Sequence, residues 1–177
     1  MQHSTGRMRL AVSATDGSGF AGALYLRDRF APTALPGIPA LDPPVPPARE
    51  VETGTEADWD AWWALISVAE IGRVVPPPEG SVLAGLYEAH EDDLIRWVAG
   101  HESDEVIGSY LPQWLPPVLE AGSGQGAHST EVIPVLGTWW TSLTPRRLLV
   151  STTAFADTKL MDRLWRERID ALLTPVP

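Results

Sequence analysis

The chain of 177 residues carries 13 basic and 23 acidic side chains, a formal charge of −10, and no cysteine. That charge opposes binding to a nucleic-acid backbone or an anionic membrane surface, both of which call for clustered Lys and Arg. The missing thiols exclude disulfides, thiolate nucleophiles and Cys-ligated zinc or iron–sulfur centres. An apolar share of 44% at this length fits one globular domain spanning residues 1–177. Lys159 is the single lysine beside twelve arginines, a ratio that G+C-rich bacterial coding would give. The N-terminus lacks the apolar stretch of a secretory signal, and no apolar run approaches a membrane span, so the cytoplasm is the expected compartment.

Met8, Leu10, Val12 and Ala14 alternate with Arg9 and Ser13, a period of two that predicts a strand. Asp16-Gly17-Ser18-Gly19 offers hairpin-loop residues, and Phe20, Leu24 and Leu26 against Tyr25, Arg27 and Arg29 predict the returning strand. From about 31 to 53, seven prolines disfavour both helix and sheet and predict a proline-rich connector on the surface. Thr55-Glu56-Ala57-Asp58 has capping-box spacing, and Trp59, Trp62, Trp63, Ile66 and Ala69 continue it as a helical stripe to about Gly72. Ser81 is placed to cap a second helix, with Leu83, Leu86, Tyr87, His90, Leu94, Trp97 and Val98 on one face and Gly100 as its stop.

Residues 101–128 read as irregular, broken by Pro112, Pro116 and Pro117 and by the glycine loop at 122–126. Val132–Leu136 suits a strand that Pro134 confines to an edge, and Leu148–Phe155 suits a central strand. Asp157 or Thr158 caps a last helix along Leu160, Met161, Leu164, Trp165, Arg168, Ile169 and Leu172. The order ββ-αα-ββ-α predicts an α+β fold. Its expected sheet is antiparallel, built from N- and C-terminal hairpins and packed against about three helices.

Candidate chemistry is sparse. His90 and His101, each followed by carboxylates, offer metal-ligand chemistry, but eleven residues of helix would hold them roughly 16 Å apart. Ser123 with His128 lacks the Gly-x-Ser-x-Gly elbow, and the same glycine loop fits neither a dinucleotide nor a P-loop pattern. No metal or cofactor is implied. An enzyme using His90, His101 or His128 with nearby acids requires two of these rings to converge in one pocket. A small-ligand receptor requires an aromatic cavity lined by Trp62, Trp97 or Trp139.

The eight tryptophans carry the main expectation. Adjacent residues diverge by about 100° on a helix and oppose each other on a strand. One member of Trp62/Trp63 and one of Trp139/Trp140 is therefore expected nearer solvent. Exposed indoles are common interface anchors. The reading that follows is a non-catalytic adaptor meeting a protein partner, or a second copy of itself, through Trp62, Trp63, Trp139 and Trp140. Arg146, Arg147, Arg163 and Arg166, together with Arg168, form a candidate anion site.

Overall fold

The computed structural model describes residues 10–48, 53–71, 73–101, 104–114 and 126–173. Among them the element order is β1 (Leu10–Asp16), α1 (Ser18–Phe30), α2 (Glu56–Val68), α3 (Val82–Ala99), α4 (Asp104–Trp114), β2 (Gly126–Ile133), β3 (Trp140–Thr144), β4 (Arg147–Ser151), α5 (Thr152–Ala156) and α6 (Thr158–Leu173). The strands form one sheet in the order β1-β2-β4-β3. β2 pairs in parallel with both β1 and β4, and only β3 runs antiparallel, against β4. The fold is α+β, but its sheet is mixed and mostly parallel. This overturns the expected antiparallel sheet of terminal hairpins with about three helices.

The largest correction falls on residues 18–30. They form a helix, not the return strand of a hairpin. The segment SGFAGALYLRDRF contains no β-branched residue, and its alanines and leucines favour a helix. Every residue from Phe20 to Arg27 is buried, so the polar face that would reveal a helical period is missing. The Asp16-Gly17-Ser18-Gly19 run is thus a strand-to-helix junction. Gly17 donates its N–H to Val132 O at 2.9 Å, and a Cβ there would lie 2.5 Å from Ile133 Cγ2.

Two further corrections concern the C-terminal half. The segment read as irregular contains α4. Pro134 does not mark an edge strand; it ends β2, which lies between β1 and β4. The run predicted as one strand from Leu148 divides into β4 and α5, because the Ser151 hydroxyl accepts from Ala154 N and caps a helical turn. Residues 122–125 of the glycine loop, Ser123 among them, lie outside the described residues, and Gly126 begins β2.

Alternation along the strands sends side chains into two cores, one on each face of the sheet. Ile133 and Leu149 meet α1, α2 and α3 on the first face. Val132, Leu148 and Val150 meet α4, α5 and α6 on the second. The proline-rich connector is more than a surface tether. Leu35, Leu41 and Val45 enter the first core, and Leu41 forms a bridge with Val135. Prolines cannot donate, but their neighbours' carbonyls still need donors. Buried Arg27 supplies them, with Nη1 to Ile38 O at 2.8 Å and Nη2 to Pro39 O at 2.7 Å. Asp28 pairs with Arg27 and accepts from Leu41 N at 2.6 Å.

The Gly17 junction gives a direct test. Gly17→Ala should cost about 1–3 kcal/mol through overpacking against Ile133. Gly37→Ala, where an added Cβ meets nothing within 4 Å, should stay within about 0.5 kcal/mol of wild type. Urea unfolding of both variants checks this, and equal midpoints would contradict the junction's tight packing.

Candidate functional site

The segment that distinguishes this chain is α2. Its start is fixed locally. The Thr55 hydroxyl accepts from Asp58 N at 3.3 Å, and the Asp58 carboxylate accepts from Thr55 N at 2.7 Å. These bonds hold the Asp58 carboxyl below its ordinary pKa, the Thr55 backbone N–H contributing most. Trp59, Trp62 and Ile66 face inward and are buried. Both buried indoles find acceptors, Trp59 Nε1 on Thr53 O at 3.0 Å and Trp62 Nε1 on Val75 O at 2.8 Å. Trp63 is half-buried, edge-on to Phe20 at 4.8 Å.

The end of α2 is fixed by the sheet. Arg147 on β4 pairs through Nε with Glu131 on β2, and both side chains are buried. They share the first face, two positions apart in register. Arg147 Nη1 reaches the carbonyls of Ser67 at 2.8 Å and Ala69 at 2.7 Å, acceptors that the ending helix leaves open. A cation at a helix C-terminus also complements the macrodipole.

With both ends fixed, the opposite face of α2 points to solvent, and it is apolar. Ala57, Ala61, Ala64, Leu65 and Val68 are exposed there, interrupted by Glu56 and Asp60. Leu65 is 43% and Val68 77% exposed, and the chain continues through exposed Ile71 and Val74. Val74 borders an open groove of about 360 Å³ against α3, lined also by Tyr87, Leu94, Ile95 and Val98, with Glu91 contributing the charge. Burial, and then the Glu91 carboxylate, raise the Tyr87 phenol above its ordinary pKa.

The tryptophans expected to meet a partner differ in exposure. Trp62 lies in the core. Trp139 is half-buried, with its indole N–H on Gly37 O at 3.1 Å and its backbone N–H on Ser151 Oγ at 3.0 Å. Trp140, on the edge strand β3, is 41% exposed. Among the arginines, Arg147 is committed to Glu131 and α2, and Arg166 pairs with Asp162 at 2.8 Å. Arg163 and Arg146 are exposed.

The histidines make separate contacts. His90 lies against Phe30, and His101 stacks on Trp97 with its Nδ1 2.6 Å from Trp97 O. His128 belongs to the opposite face of the sheet, buried and edge-on to Trp165 at 5.5 Å. It therefore shares no pocket with the other two. Among the described residues, no group of three or more His, Asp and Glu is placed to hold a metal ion. Burial, then the Arg168 and Arg146 guanidiniums, lower the His128 pKa.

The outer face of α2 and the Glu131–Arg147 pair are the features that sequence reasoning missed. The first had a signal, because α2 has apolar residues between its tryptophans as well as beneath them. The second had only a lone acid and a lone base in apolar runs, with nothing to say that they meet. No family model, curated protein or solved structure matches this chain.

Breaking the buried pair from one side should be costly. Arg147→Met, which strands Glu131 and the α2 carbonyls, should lose about 3–5 kcal/mol in urea unfolding. Adding Glu131→Leu should return at least about 1 kcal/mol of that loss, whereas strict additivity would refute the coupling. His128 sets a pH dependence of definite sign. Its folded pKa is lowered, so the unfolded chain binds more protons. Stability is full above about 6.5 and falls as the pH drops below it. His128→Gln should flatten that slope, and an unchanged slope would rule the assignment out.

Proposed function

We propose that this chain is a non-catalytic binding protein that docks a protein partner on the outer face of α2, the segment through Ile71 and Val74, and the adjoining α3 groove. The observation that carries the reading is that α2 is apolar on both faces while, among the described residues, only the inner one is covered. A helix that is apolar all round is ordinarily buried on all sides, and contiguous exposed apolar surface marks interaction sites. Buried Trp59 and Trp62 act here by fixing the helix's rotation, which presents Leu65 and Val68 outward.

Acids outnumber bases on and beside this face: Glu56 and Asp60 on α2, then Glu70, Glu88, Glu91 and Asp92, against Arg73 and Arg96. A partner with an apolar stripe and a basic rim complements them, and opposite charge speeds encounter. A second copy of the chain would bring the same excess of acids to this face, within a chain of net charge −10, which disfavours self-association.

A photoreactive residue at Val68 should form an adduct with one protein in the cell of origin, and the same residue at exposed Lys159 on α6 should not. With that partner purified, Leu65→Asp and Val68→Asp should each weaken binding by about tenfold or more, a loss of the size expected at interface anchors. Their urea midpoints should match wild type. The reading is overturned by the absence of an adduct, by an adduct only with a second copy, or by unchanged affinity in both variants.

A further inference from the structure

The basic residues on the other face of the sheet are not part of this docking surface. Arg146 and Arg168 remain once Arg147 and Arg166 are assigned their carboxylates, and the fold brings the Arg168 guanidinium to the turn that carries Arg146. Arg146 sits in the turn between β3 and β4, where its carbonyl accepts from Ser129 N at 2.9 Å, beside His128 on β2. Arg168 arrives from α6. Its Nη1 donates to the carbonyls of Thr144 at 3.3 Å and Pro145 at 3.4 Å, and its Nη2 to Ser142 Oγ. All three acceptors are neutral, so they orient the guanidinium without cancelling its charge. Three residues earlier on α6, Trp165 holds the edge of the His128 ring.

Among the described residues, no carboxylate forms an ion pair with Arg146 or Arg168, although the chain has 23 acids to choose from. Glu167 acts on Arg168 only at longer range, and burial lowers the Arg168 pKa more than Glu167 raises it. Two positions along the same face of β2 from His128, the buried Thr130 hydroxyl has no hydrogen-bond partner among the described residues. Buried polar atoms normally find one. Two guanidiniums at the turn next to His128 match a dianion with several acceptor oxygens, whereas a carboxylate would neutralise only one of the two charges.

We propose that Arg146, Arg168 and His128 form a binding site for the phosphoryl group of a phosphate monoester, with Thr130 on the same face of β2. Inorganic phosphate is the simplest ligand of this chemistry, and methyl phosphate tests the monoester itself. Acetate serves as the single-charge control.

Titration calorimetry of the full chain at constant ionic strength near neutral pH should show saturable binding of phosphate and methyl phosphate, with acetate at least about tenfold weaker. The His128 ring resonances should move on binding. Arg146→Gln, at an exposed position that leaves the fold intact, should weaken both phosphates by about tenfold or more, as loss of a charge-assisted contact implies. Arg163→Gln, also exposed but outside the cluster, should bind as wild type. The site is refuted by absent saturation, by equal binding of acetate, by Arg146→Gln behaving as wild type, or by an equal loss in Arg163→Gln. If methyl phosphate fails where inorganic phosphate binds, the free ion alone is the ligand and the monoester assignment is wrong.

Discussion

The buried guanidinium of Arg147 is the contact on which the arrangement of the first face depends. It neutralises Glu131 across two parallel strands, closes the carbonyl end of α2, and lies over the Phe20 ring of α1 at 5.5 Å. Taking two charges out of water costs several kcal/mol each, and attraction alone seldom offsets this. The pair is retained because its remaining donors meet helix carbonyls that would otherwise be buried without partners. One side chain thus ties β2, β4, α1 and α2 into a single geometry. The rotation of α2 follows from it. With the Thr55 cap at one end and Arg147 at the other, Trp59, Trp62 and Ile66 can only face inward, and Leu65 and Val68 only outward.

Arg27 solves a related problem with similar means. A connector rich in proline lacks donors, so it cannot satisfy itself when it crosses the end of a sheet. The Arg27 fork takes the Ile38 and Pro39 carbonyls, and Asp28 both balances the charge and accepts from Leu41 N. Leu41 and Val45 can then bury against the first core. In both places the polar contacts position the backbone and the apolar burial stabilises it, at roughly 25 cal/mol per Å² removed from water.

What the sequence made legible was chemistry confined to a few neighbouring residues. The Thr55–Asp58 box, the Ser81 cap and the Asp157 cap before α6 are all present, because capping needs only a side chain and the next turn of backbone. Divergence within the tryptophan pairs was equally local, leaving Trp62 buried beside half-buried Trp63 and Trp139 half-buried beside exposed Trp140. What failed depended on distant parts of the chain. α1 has no solvent face to set its period, and β2 is central because β1 and β4, far away in sequence, flank it. Residues 20–26 suit either period until the absence of β-branched residues is weighed. The meeting of Glu131 with Arg147 exists only once the strands are in register, and the approach of Arg168 to the turn before β4 only once α6 has packed.

β2 carries both arrangements. Its successive residues alternate between faces, so Glu131 joins Arg147 beneath α2 while His128 and Thr130 look toward α4, α5 and α6. The charge is divided accordingly. Glu56, Asp60, Glu70, Glu88 and Glu91 lie on or beside the apolar face of α2 and the α3 groove, while Arg146 and Arg168, which form no ion pair among the described residues, lie toward the other face. A chain with a net charge of −10 would repel a phosphoryl group over most of its surface. The phosphoryl site proposed around Arg146 and Arg168 would act against that charge only at short range, where neutral acceptors orient the Arg168 guanidinium. One pleated strand thus carries a carboxylate on one face and an imidazole on the other, and through them it takes part in both proposed sites.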